Sequence, residues 1–183
     1  MDAAGYSARS NVHRMTTTAE LLADGFGRIR HLVEEVVDGF DVDGLTARVD
    51  GDANTIAWLV WHLTRLQDSS VARVASDDQL WTTAGWSARF DLPFDDRATG
   101  YGQSTQDVGA VRADAELLLG YHDAVFERTL DYLGDLEDSD FDRVVDTRYD
   151  PPVTLAVRMM SILSDELQHV GQAAFVRGVI ERR

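Results

Sequence analysis

Four stretches of this chain repeat apolar side chains at helical spacing, and no stretch alternates as a strand would. Each such helix carries a stripe that must be buried, and stripes of similar length cover one another as a bundle. The first runs Leu22, Phe26, Ile29, Val33 and Val36, opened at Thr16 to Thr18 with Glu20 as capping-box partner of Thr17, and closed by Gly39. After a polar linker with Asp41, Asp43 and Gly51, a cap at Asp52 or Asn54 opens the second, where Ile56, Leu59, Leu63 and Leu66 run on towards Val74. Trp58 to Trp61 is apolar without a break, so more than one face of this helix is expected to be buried. The third runs from Val108 or Asp114 to Leu133, with Leu118, His122, Val125 and Thr129 on one line, and Gly134 ends it. A short extended piece is expected within 141–149, and Pro151 and Pro152 sit where a helix N-terminus tolerates them. The fourth helix carries Leu155, Met159, Ile162, Asp165, His169 and Val176 along one face. The expected fold is all-α, an up-down four-helix bundle.

Between the second and third helices, from Asp77 to about Gln106, periodicity fails. Trp81, Trp86, Phe90, Phe94 and Tyr101 crowd this segment, which is expected to be a long aromatic-rich loop covering something. Residues 1–15 lack an apolar period and read as a tail, with His13 a solvated bystander, which leaves 16–183 as a single domain.

Composition narrows the function. With 17 basic side chains, all of them Arg, against 32 acidic ones, the net charge is −15, and such a field repels nucleic acid and anionic membrane surfaces. The absence of cysteine excludes disulfides, cysteine-ligated zinc, iron–sulfur clusters and a cysteine nucleophile. The absence of lysine excludes Schiff-base chemistry and a P-loop. The apolar runs are too short to span a bilayer and the N-terminus lacks the apolar core of a signal peptide, so the cytoplasm is the expected location.

Ligand-type side chains interrupt the stripes. His62 follows Trp58 and Leu59 and precedes Leu66, so it points inwards. Asp165 and His169 lie four apart, about 40° around the axis and ~6 Å along it, hence on one face. Two imidazoles and a carboxylate from two helices make three protein ligands with a position left open, the stoichiometry of a catalytic zinc site. Gln172, three residues after His169, is placed to orient its ring. The alternative is a satisfied core histidine beside an ordinary helix pair. Glu166 rivals Asp165 as the carboxylate, and Asp165 is preferred as closer to the line of Leu155, Ile162 and His169. His122 could be a fourth ligand, a pocket base or a buried hydrogen-bonder.

The segment Asn54-Thr-Ile-Ala-Trp-Leu-Val-Trp-His62-Leu-Thr, with Asp165-Glu-Leu-Gln-His169-Val-Gly-Gln172, resembles the DinB-like superfamily of metal-binding four-helix bundles. More narrowly it is similar to the mycothiol-dependent branch, the DUF664 proteins and the N-terminal domain of mycothiol-dependent maleylpyruvate isomerase. The likeness runs from about Thr16 onwards and includes Asp150-Pro-Pro-Val. Members commonly place one His on the second helix and an HxxxH pair on the last. His62 and His169 match, and Asp165 stands where many members have His and the isomerase branch has Glu. The chain stops at Arg183 without the isomerase's second domain, so a stand-alone thiol S-transferase is the better analogue. The resemblance implies a divalent metal, Zn²⁺ or alternatively Ni²⁺, on His62, Asp165 and His169. It further implies mycothiol or a related thiol as co-substrate, with Trp58 and Gln172 bordering it and His122 relaying the thiol proton. A small electrophile is expected under the Trp81 to Tyr101 loop, and a homodimer is possible. The alternative is a non-catalytic metal- or ligand-binding module acting as a homodimer.

Overall fold

The stripes become four long helices in a computed structural model that describes residues 17–183; the tail assigned to 1–15, and His13 in it, lie outside the described residues. Helix α1, Thr18–Val37, starts at the capping box of Thr17 and Glu20, and Gly39 beyond its end takes a positive φ. A one-turn helix α2, Val42–Leu45, follows, capped by Asp41. Helix α3, Ile56–Ala75, is capped by neither Asp52 nor Asn54 but by Thr55, whose hydroxyl accepts from Trp58 N at 3.1 Å. The crossover then holds three short helices: α4 (Leu80–Thr83), α5 (Trp86–Phe90) and α6 (Thr105–Ala110). Helix α7, Ala115–Gly134, begins at Asp114. A 3₁₀ turn over Asp138–Asp142 and a small antiparallel pair, β1 (Val144–Asp146) and β2 (Val153–Thr154), lead into α8, Leu155–Ile180. Pro151 and Pro152 therefore sit in the β1–β2 connection, not in the first turn of α8.

Neighbours and directions are set by side-chain pairings. Gly25 backs onto Leu163, and Arg177 donates to the carbonyls of Glu35 and Asp38, so α1 and α8 are parallel. Arg30 pairs with Asp123 and Thr18 N with Asp138, so α1 and α7 are antiparallel. Thr64 meets His122, Gln67 meets Thr129 and Val74 meets Tyr132, so α3 runs parallel to α7. Helix α8 packs antiparallel against α3, with α1 and α3 on a diagonal. The all-α bundle is as expected, but its order is up-down-down-up where strict alternation was expected, because the crossover returns the chain to the end at which α3 began.

The crossover also closes the outer side of α3. Trp81, Trp86 and Phe90 are buried, their rings 5.3, 5.4 and 5.8 Å from that of Tyr121 on α7. They complete the core, and none of them lines the two grooves that lie beside Asp165 and Gln172. As a result Arg65, Gln67 and Asp68 of α3 are buried while Leu66 is half-buried.

Candidate metal centre

The antiparallel packing of α3 on α8 brings His62 against Asp165 and His169. One ligand atom from each lies within 4.8 Å of the other two. The imidazole centroids are 4.7 Å apart with the rings at 72°, and His169 Nε2 is 3.6 Å from Asp165 Oδ2. That separation is too long for a hydrogen bond, and the buried Oδ2 has no other partner. A carboxylate oxygen kept from water, without a donor, beside two imidazole nitrogens is a donor set that suits a divalent cation.

The hydrogen bonds behind the rings set their tautomers. His62 Nδ1 donates to the carbonyl of Thr99; a carbonyl only accepts, so Nδ1 carries the proton and Nε2 keeps its lone pair. His169 Nδ1 donates to Gln172 Oε1 at 3.4 Å, which likewise leaves Nε2 free. Burial, with the neighbouring His169, lowers the His62 pKa against the opposing pull of the Thr99 carbonyl and Asp165. Its imidazole is thus neutral at neutral pH, as a ligand must be. Trp58 stacks flat on His62 at 4.6 Å and donates through Nε1 to Gln103 at 2.7 Å, so it forms a wall behind the ligand. Gly100, at φ +99°, lies so close that a Cβ there would collide with His62 and Trp58.

The DinB superfamily profile matches residues 26–173, a span holding all three ligand candidates. The chain belongs to the DinB superfamily. The crystal structure of a conserved protein from Enterococcus faecalis is similar to it, with 25% identity, a TM-score of 0.86, and 92% of this chain and 99% of that one covered. No curated protein matches the chain by sequence.

In this DinB-superfamily chain the two rival carboxylates part company. Glu166, not Asp165, continues the core line of Leu155, Met159, Ile162, Val170 and Ala173, and it is fully buried. Asp165 and His169 form a flanking line that faces α3. The preference for Asp165 therefore agrees with the geometry, but the collinearity offered for it does not. Burial holds the Glu166 pKa well above the usual range, and neither carboxyl oxygen has a hydrogen-bond partner. His122 is not brought into the trio. Its Nδ1 meets Thr64 Oγ1 at 3.2 Å, its Nε2 is unpaired, and burial lowers its pKa to about 4. Thr64 Oγ1 gives its own hydrogen to the Val60 carbonyl, so among the described residues no hydrogen bond leads from His122 to the three candidate ligands.

Two surface grooves flank the trio. One of about 680 Å³ lies beside Asp165, between Val157, Met160 and Gln168; the other, of about 580 Å³, lies between Asn54, Leu59, Gln172 and Phe175. Among the described residues no helix is long and apolar enough to cross a membrane. Sequence reasoning missed the Thr99 carbonyl, since a backbone acceptor leaves no mark in side-chain identity; Gly100 beside it was the available signal.

Proposed function

We propose that this chain is a metal-dependent thiol S-transferase, in which His62, Asp165 and His169 hold a divalent ion, Zn²⁺ first and Ni²⁺ as the alternative. The co-substrate is a low-molecular-weight thiol, mycothiol or a relative, and the acceptor is a small electrophile in a detoxifying conjugation. The observation that carries this reading is the convergence of three ligand atoms with Asp165 Oδ2 buried and unpaired. A divalent ion in such a site supplies Lewis acidity that lowers the pKa of a coordinated sulfur. The residues do the rest. Thr99 and Gln172 hold each imidazole in the Nδ1–H tautomer, and Trp58 fixes the plane of His62. The amides of Asn54 and Gln172 in one groove suit a polar co-substrate, while Val157 and Met160 in the other suit the apolar part of an electrophile. With no cysteine in the chain, the reactive sulfur arrives on a small molecule, in a cytoplasm that keeps thiols reduced.

Elemental analysis of the purified protein tests the site: one divalent ion per chain is expected, lost in His169→Ala. Absence of metal both as purified and after titration overturns the reading. Consumption of thiol with an aryl electrophile tests the activity. A second reading, a non-catalytic module that pairs with its own copy, is favoured by Met160 and Phe175, 52% and 67% exposed on α8 next to the trio. A metal-loaded dimer without thiol turnover selects it.

A further inference from the structure

We infer that Arg65 is a positioning residue for the metal centre, acting through the backbone of the crossover and touching no ligand itself. The inference rests on the proposed metal site. Arg65 follows His62 by three residues on α3, and its side chain has no exposed surface. Nη2 donates to the carbonyl of Asp96 at 2.9 Å and Nε to that of Ala98 at 3.2 Å. Nη1 donates to Gln79 Oε1 at 2.9 Å and Tyr121 Oη at 3.3 Å, and the guanidinium lies 4.6 Å from the Trp81 ring centroid. One cation thus binds the start of the crossover and the two carbonyls that lead into Thr99.

That placement matters because of the two residues after Ala98. Thr99 gives its carbonyl to His62 Nδ1, and Gly100 passes His62 where a side chain does not fit. The carbonyl that selects the His62 tautomer is one peptide away from one that Arg65 grips. Helix α3 therefore presents the ligand and, about one turn on, the group that aims the ligand's hydrogen-bond acceptor. A guanidinium is the side chain for this task, since its planar fork reaches two carbonyls at fixed spacing while an ammonium is a point donor.

The test is Zn²⁺ affinity of the full chain, by competition with a chromophoric chelator well below the melting temperature, together with the ring ¹⁵N shifts of His62 in the metal-free protein. Arg65→Met is expected to weaken Zn²⁺ about 10–100-fold and to replace the single Nδ1–H tautomer with a mixture. Arg65→Lys should fall between, recovering part of the affinity. Gly100→Val, which pushes the same segment away from His62 while keeping Arg65, should reproduce the loss if Arg65→Met does not fold. Unchanged Zn²⁺ affinity and an unchanged His62 tautomer in a folded Arg65→Met or Gly100→Val protein overturn the inference and make Arg65 purely architectural. Wild-type protein that binds no Zn²⁺ overturns the metal reading instead, and the tautomer alone then decides whether Arg65 positions His62.

Discussion

Around Arg65 each guanidinium nitrogen has an acceptor, and its neighbour Asp68 takes Leu80 N at 3.0 Å, Trp81 N at 2.8 Å and Tyr121 Oη at 2.8 Å. Around His62, three residues earlier on the same helix, free ring nitrogens and a carboxylate oxygen turn toward one another with no hydrogen between them. Both clusters are polar, yet Arg65 and Asp68 are fully buried and saturated, while the trio, with the Asp165 side chain 41% exposed, is not. A saturated network holds the chain in place, since a buried charge with all its partners is costly to disturb. An unsaturated one needs a further partner, and converging lone pairs say what kind.

The sharpest way to break this contrast is to remove Asp68. Asp68→Ala leaves Arg65 buried without its counter-ion and is expected to cost about 3–5 kcal/mol, read as a lower urea midpoint. A loss below about 1 kcal/mol in that measurement would deny the network its structural role.

His122 tests the cost of shelter without saturation. Its folded pKa of about 4 lies below the ordinary 6.5, so between those values the unfolded chain binds more protons. Stability contributed by the neutral ring is present above pH 6.5 and is lost as pH falls, by on the order of 3 kcal/mol. His122→Leu should remove that acid sensitivity, seen by comparing urea midpoints at pH 7 and pH 4.5; an identical pH slope in both proteins would count against it.

Glu166 has the opposite sign. Its folded pKa is raised, so its contribution is intact below the ordinary 4.5 and declines as pH rises towards the folded value. Glu166→Met, which removes two unpaired buried oxygens, should stabilise the protein at pH 7 by about 1–3 kcal/mol, and by less at pH 4. Destabilisation at pH 7 would show that the carboxyl has a partner.

The smallest effect on stability is expected at the unsaturated cluster. Asp165→Asn should move the metal-free melting curve by less than about 0.5 kcal/mol while abolishing stoichiometric metal in elemental analysis. A large stability loss without metal would place Asp165 with Asp68, as architecture.

The parts of this molecule that could be read from sequence are those a single helix decides. The α1 stripe, its Thr17 and Glu20 cap and its stop at Gly39 are local, and so is the i, i+4 spacing of Asp165 and His169. What could not be read depends on a neighbour. A stripe shows which face is buried and not what buries it, so the parallel course of α3 and α7 was invisible. So was the burial of Arg65, Gln67 and Asp68, because the aromatic residues that cover them are far along the chain and follow no period. Glu166 is a different case. Its place on the core line follows from the spacing of Leu155, Met159, Ile162, Val170 and Ala173, while only the position of α3 shows that the flanking Asp165 faces His62.

The pairing of α3 with α8 has a consequence in time as well as in space. His62 is synthesised before Asp165 and His169, which emerge from the ribosome roughly a hundred residues later, in α8. In the proposed reading a nascent or C-terminally truncated chain holds one of three ligands. Metal uptake then reports that synthesis has passed α8 and that α3 and α8, far apart in the chain, have closed on one another.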